Sequence, residues 1–325
     1  MQTPRISKII NVYQEEYVDG EYCTGLGDFI RGSLCLSQYA AFQNLDFDMH
    51  YTTHPISHFL DPSPYGSNNN PIIHPYRVLC YKSNHKNNNN IQKNIQDFNQ
   101  LINKHPKCIQ TNKHNTVSAF TLYTIAYPSQ PITQLHINRV RDALCPNAIL
   151  QTRITEYMTS VNIRAKKYNV IHVRSGDNYL LNKINTSMSV CIECKRAFLQ
   201  VFSTDELTNG KKSNEENEER LPFVLISDNV ELKKQLKRGI PNLITRHHLI
   251  THMGEKRLNT NTLSETDMVQ LYENVANTLI DFFIISKAHS VYAFSTMEHG
   301  TGFSEQCCRL YNVPYSSFTL SNIKY

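Results

Sequence analysis

The sequence predicts two α/β domains in tandem, each built on a parallel sheet with helices on both faces. Three observations carry that expectation. The chain has 325 residues, about twice the ~150 of a single domain. Short apolar runs such as Val170-Ile171-His172-Val173 and Phe223-Val224-Leu225-Ile226 alternate with longer stretches of helical spacing. Polar, glycine-containing segments come after those runs, and ligands of open parallel sheets bind beyond the carboxyl ends of the strands.

In chain order, the β-branched run Ile6 to Val12 predicts a first strand, followed by Gly25-Leu26-Gly27-Asp28. Phe29, Ile30, Leu34, Leu36, Ala40 and Ala41 then recur as in a helix, and Phe47, Met49 and Tyr51 alternate as in a strand. From Pro62 to Asn115 the pattern is poorer, with asparagine runs at 67–71 and 87–90 read as loops and an amphipathic helix at Ile91 to Asn103. Helices are next expected at Ile132 to Leu144 and Ala148 to Lys166. The domain boundary is placed at Asn147, giving domains 1–147 and 148–325. Beyond Val170 to Val173, helices are expected at Cys191 to Phe202, Glu231 to Lys237, Glu265 to Ser286 and Ser304 to Tyr311. Strands are expected at Phe223 to Ile226, Leu243 to Thr245 and Ser290 to Phe294, with Lys211 to Arg220 a solvated loop.

With 40% hydrophobic and 19% charged residues the chain is not of disordered composition. A net charge of +5 and the absence of Trp argue against nucleic acid as partner. No stretch approaches the ~18 apolar residues of a membrane span, and Met1 to Lys8 lacks the apolar core of a signal peptide. Nine scattered cysteines read as reduced thiols, so a soluble, cytoplasmic protein is expected. Cys191-Ile-Glu-Cys194 has no second pair, and the His pairs have no accompanying Glu, so no metal site and no bound cofactor are expected.

Four constellations remain. In His172-Val173-Arg174-Ser175-Gly176-Asp177, period two places His172 and Arg174 on one side of a strand end. A guanidinium there is a rigid fork suited to phosphate oxygens; an Arg174–Asp177 ion pair tying a loop is the alternative. In Asp281 to Ser304, hydroxyls at Ser295, Thr296, Thr301 and Ser304, the Gly300 and Gly302 amides and a helix N-terminus make an anion site; ordinary capping by Thr301 or Ser304 is the other reading. Asp281, in an apolar helix, needs a partner, and a ligand donor group is one candidate. Gly25, Gly27 and Asp28 form a strand-to-helix turn in which Asp28 is either a cap or a cleft-facing carboxylate. Ser227-Asp228-Asn229 ends a strand on the same edge as Arg174, as a ribose contact or an Asx turn.

With these residues in place, the stretch from about 168 to 312 resembles the α1,2/α1,6-fucosyltransferase superfamily of GT-B glycosyltransferases. The resemblance rests on His172-x-Arg174-x-Gly176-Asp177, on Ser227-Asp228-Asn229, and on the block from Asp281 to Ser304, in that order and spacing. It implies two Rossmann-like domains whose parallel sheets face a shared cleft. It further implies that His172 approaches the guanine and Arg174 the β-phosphate of a GDP-sugar co-substrate. Asp281 then accepts from guanine N1–H and N2–H, and Ser295, Thr296 or Ser304 hold phosphate oxygens. The chain departs from the family where Met297-Glu298-His299-Gly300 stand before Thr301-Gly302-Phe303-Ser304. Gly25-Leu26-Gly27-Asp28 is similar to the early glycine loop of many GT-B enzymes; a Leu-Gly-Asp there supplies the base in the heptosyltransferase-like group, which makes Asp28 the candidate, while the α1,2 enzymes usually carry Asn there, and Asp177 or no protein group are the alternatives. The implied reaction is inverting, metal-independent transfer of fucose to a glycan hydroxyl. A different nucleotide-sugar donor, or an inactive nucleotide- or glycan-binding protein, are the rival readings.

Overall fold

The computed structural model describes residues 6–17, 20–51, 53–62, 64, 73–74, 77–82, 91–111, 118–175, 188–202, 221–251, 253–254, 263–296 and 301–320. The asparagine runs, the loop 211–220, Gly176 and Asp177 lie outside these residues. The backbone divides into two compact units, Met1–Leu150 with Met253–Tyr272, and Gln151–His252 with Glu273–Tyr325. A single cut at Asn147 assigns Met253–Tyr272 to the second half, yet that stretch groups with the first unit.

In the first unit, β1 (Lys8–Val12), β2 (Asp46–His50), β3 (Leu79–Tyr81), β4 (Ile109–Thr111) and β5 (Ser118–Thr124) form one sheet in the order β2-β1-β5-β3. All pairings are parallel except β4, which runs antiparallel against β5. The helices are α1 (Leu26–Phe42), α2 (Ile91–Lys104), α3 (Gln134–Asp142) and the start of α4 (Ala148–Ser160). Every residue of β1 and of β5 is buried, as expected of central strands covered on both faces. Asn11 ties three elements: its Nδ2 donates to Ser33 Oγ on α1 (2.8 Å), and its Oδ1 accepts from the Thr124 N–H on β5 (3.2 Å).

Gly32 is where α1 meets the end of β5. A Cβ there would sit 1.7 Å from the Thr124 carbonyl oxygen, which is backbone and cannot rotate aside. Gly32→Ala is therefore expected to destabilise the chain by about 3 kcal/mol, the upper range for overpacking. The midpoint of urea unfolding reads this directly, and an unchanged midpoint would mean that α1 can lift off β5 freely.

The segment at Met253 is fastened within the same unit. Its carbonyl oxygen accepts from Tyr13 OH (3.3 Å) and Cys23 Sγ (3.5 Å) and lies 3.0 Å from His54 Nε2. His54 Nδ1 accepts from the Ile56 N–H (3.2 Å), which fixes Nε2 as the protonated nitrogen.

In the second unit, β6 (Asn169–Arg174), β7 (Phe223–Ser227), β8 (Ile244–Thr245), β9 (Ser290–Ser295) and β10 (Tyr315–Thr319) form a wholly parallel sheet ordered β10-β9-β6-β7-β8. Its helices are the remainder of α4, α5 (Met188–Val201), α6 (Val230–Gly239), α7 (Glu265–Ser286) from Glu273 onward, and α8 (Gly302–Tyr311). Ile171 and Val173 of β6 pack with Cys194 and Phe198 of α5 and Leu232 and Leu236 of α6. The alternate residue His172 faces α8 instead, which is the period-two division that the sequence predicts.

Starting from β6, the chain builds outward through β7 and β8 on one side, then returns to add β9 and β10 on the other. The order reverses between β6 and β9. This is a topological switch point, where neighbouring connections leave in opposite directions and open a crevice at the carboxyl ends of the strands.

Candidate active site

The crevice of the second unit is built by the residues immediately after β6, β7, β8 and β9. Parallel register sets Arg174 beside Ser295 at the strand ends, and Thr296 Oγ1 donates to the Ser175 carbonyl (3.4 Å) across the same gap. Next to them, Asp228 Oδ1 accepts from the Ser175 N–H (2.8 Å) and from Ser227 Oγ (3.4 Å). Asn229 caps α6, its Oδ1 accepting from the Leu232 N–H (2.9 Å). In Ser227-Asp228-Asn229 the capping turn is thus realised at Asn229, while Asp228 braces the loop after Arg174.

Beneath the crevice lies a buried polar chain. His172 Nδ1 is 2.9 Å from Ser304 Oγ, Ser304 Oγ is 2.5 Å from Thr301 Oγ1, and Thr301 Oγ1 is 3.2 Å from Tyr315 OH. Thr301 and Ser304 are fully buried, so their hydroxyls support the start of α8 from within. Burial, aided by the Arg174 guanidinium, pushes the His172 pKa down to about 3, so His172 is a neutral hydrogen-bonding group at any working pH. Thr301 stands at the N-cap position without a side-chain capping bond, and a Cβ built on Gly302 would meet nothing within 4 Å. Thr301 and Gly302 open α8, the helix that follows β9 in the chain, and the first amides of a helix carry a partial positive charge suited to an anion.

Asp281, 5% exposed in α7, has a protein partner that the sequence pattern does not reveal. Arg246, the residue after β8, donates from Nη1 to Asp281 Oδ1 (3.3 Å) and from Nη2 to Asn277 Oδ1 (2.8 Å). Lys233 of α6 is 2% exposed, with its Nζ 3.4 Å from the His248 carbonyl. Burial lowers its pKa, while Asp281 and Asp228 act in the opposite direction. Searching the residues just after each predicted strand singles out Arg246; nothing in the sequence singles out Lys233, whose burial comes from packing.

In the first unit Asp28 is the third residue of α1, its N–H bonded to Gly25 O (3.0 Å), and its side chain caps nothing. Oδ1 pairs with Arg31 Nη1 (2.8 Å). Arg31 is held in turn by the Ile125 carbonyl (3.0 Å to Nε) and stacks over Tyr127 at 4.1 Å. Gly25 has φ −63° and ψ 160°, which any residue adopts, and Gly27 is buried in the first helical turn. Asp177 lies outside the described residues.

Among the described residues no group of three or more His, Cys, Asp or Glu is gathered as metal ligands, and no helix is long and apolar enough to cross a membrane. All nine cysteines are free thiols.

A parallel sheet of this order, reversing between β6 and β9, is Rossmann-like. No family model matches the chain, and no curated protein does. Solved structures do match, and over almost its whole length. NodZ α-1,6-fucosyltransferase soaked with GDP-fucose superposes with a TM-score of 0.50 at 12% identity, covering 99% of this chain and 98% of that one. The selenomethionine form of the Bradyrhizobium fucosyltransferase NodZ gives 0.52 at 11%, covering 99% and 97%. A variant of Arabidopsis thaliana FUT1 in complex with GDP gives 0.52 at 9%, covering 99% and 72%. The fold is thus that of the GT-B fucosyltransferases.

Proposed function

We propose that the chain is a glycosyltransferase that moves a sugar, fucose from GDP-fucose, to a glycan hydroxyl with inversion and without a metal. The observation that carries this reading is the register of Arg174 against Ser295 at the switch point, on the strand that leads into α8. The fold supports it: one NodZ structure was soaked with GDP-fucose, and the FUT1 variant was solved with GDP.

In this reading Arg174 and the α8 amides at Gly302 receive the diphosphate, with Ser295 and Thr296 at its edge. His172 and Asp281 border the base, and Asp228 holds the Ser175 backbone in place. As the glycosidic bond breaks, charge builds on the leaving diphosphate, and a fixed guanidinium with pre-oriented amides stabilises it without reorganisation. The acceptor oxygen attacks from the opposite face and passes its proton to a carboxylate, for which Asp28 is the candidate. The Arg31 fork keeps that carboxylate in one orientation.

Calorimetric titration of GDP, UDP and ADP into the full chain tests the donor assignment. GDP is expected to bind best, and Asp281→Asn to weaken it by about 1–3 kcal/mol, the worth of charged hydrogen bonds. Tighter binding of UDP or ADP would point to another sugar donor. GDP binding with no turnover of GDP-fucose on any glycan would leave a binding protein.

A further inference from the structure

Asp281, the carboxylate assigned to the base, is itself held by one protein donor. Arg246 Nη1 reaches Asp281 Oδ1 at 3.3 Å, the two side chains being only 9% and 8% exposed. No other described residue donates to Asp281, so Oδ2 keeps its full acceptor capacity. Arg246 is over-determined in turn. Nη2 donates to Asn277 Oδ1 at 2.8 Å, Nη1 reaches the Asn277 carbonyl at 3.5 Å, and the guanidinium lies 4.9 Å from the Tyr157 ring centre. The backbone carrying it is laced to α7: Asn277 Nδ2 donates to Leu249 O (3.2 Å), and the Thr251 N–H donates to Thr278 Oγ1 (3.2 Å). Among the described residues, Arg246 Nε and Tyr157 OH, both buried, have no hydrogen-bond partner.

A charged side chain this deeply buried is costly without a partner. Among the described residues two cations are near it. Lys233 of α6 acts on Asp281 through space and spends its Nζ on the His248 carbonyl, whereas Arg246 bonds directly. The other groups around the pair are Tyr157 of α4, Asp228 after β7 and His248 after β8.

We propose that Arg246 is the positioning residue of Asp281: it takes Oδ1, neutralises the buried carboxylate and leaves Oδ2 turned to the N–H edge of a purine base. This rests on the assignment of Asp281 to the base. A guanidinium anchored at Asn277 and Tyr157 fixes the plane of the carboxylate as well as its charge, which a lysine alone does only in part.

The test is GDP affinity by calorimetry for wild type, R246M, R246K, D281N and the double variant R246M/D281N. Without Arg246 the carboxylate loses the one described bond that orients it. R246M is therefore expected to bind GDP about tenfold or more weakly, scaled from the cost of breaking a buried pair, and R246K should restore most of the affinity. In the D281N background R246M should change affinity less than about twofold, because a residue acting through a partner has no effect once the partner is gone. The double variant buries no lone charge, so it also controls for folding. If D281N weakens GDP but R246M binds as wild type, or if R246M weakens binding equally with and without Asp281, Arg246 does not act through Asp281 and the proposal fails while the base assignment stands. If D281N leaves GDP affinity unchanged, the base assignment fails and takes this proposal with it.

Discussion

Replacing Arg174 by alanine is expected to lower the kcat of sugar transfer, or of donor hydrolysis, by about 100- to 1,000-fold, the loss seen when one pre-organised donor to developing charge is removed. The reason lies in where the fold puts it. Arg174 is the last residue of the central strand, paired to Ser295 on the strand across the switch point, the strand that leads into α8. Negative charge arriving there meets a full positive charge. Arg174→Lys should recover only a small part, since an ammonium cannot replace a planar fork bonding two oxygens at once. Steady-state kinetics with GDP-fucose decide the matter. An alanine variant within about threefold of wild type would remove Arg174 from the chemistry and leave α8 alone to hold the phosphates.

Lowering the pH from 7.5 to 5 should destabilise the fold by about 2 kcal/mol for each of two buried histidines. Burial pushes His54 down to about 4, against a smaller opposing effect of its bond to the Met253 carbonyl, and pushes His172 down to about 3. Both pKa values are depressed, so the unfolded chain binds protons that the folded chain refuses. Stability is therefore complete above pH 6.5, falls as pH drops below it, and levels off only near pH 3 to 4. The geometry gives the cause for His54: Nδ1 already accepts from Ile56 and Nε2 faces Met253, so an added proton at Nδ1 would oppose an N–H. His50 and His136 are lowered too, mainly by burial, and add in the same direction. Urea unfolding at the two pH values, for wild type and for His54→Asn and His172→Asn, measures this. Equal pH slopes in all three proteins would show that these histidines are not the proton-linked groups.

The second unit is more legible in the sequence than the first. Its buried strands β6, β7 and β9 are apolar runs between helical stretches, because a strand covered on both faces has little polar side to display, whereas β10 is largely exposed and shows no such run. The period-two argument places His172 apart from Ile171 and Val173 correctly, since pleating alone decides it. In the first unit the sequence pattern does not disclose β5, Ser118 to Thr124, although it lies at the heart of the sheet and all seven residues are buried. Its hydroxyls are nonetheless satisfied internally: Thr121 Oγ1 accepts from Gln110 Nε2 and donates to the Arg77 or the Cys108 carbonyl, and Thr124 Oγ1 accepts from the Ala126 N–H. Polar residues in a central strand become legible only when their partners are known. The same holds for Ser304 and Thr301, two hydroxyls of the anion-site reading: Ser304 lies against His172, and Thr301 lies between Ser304 and Tyr315.

What the sequence determined by itself was local: alternation of strands and helices, the residues at strand ends, the absence of a membrane-length apolar run, and a charge balance far from that of a nucleic-acid binder. What the tertiary structure decided was which distant residues meet. Strand order put Arg174 beside Ser295, 121 positions away in the chain, and sent Met253 back to the first unit. It also joined Arg246 to Asp281 from 35 residues off. Spacing along the chain fixes side-chain direction over a few residues, because the backbone has few soft torsions. Pairing across a sheet or between helices is set by how apolar faces are buried together, and no local pattern records it.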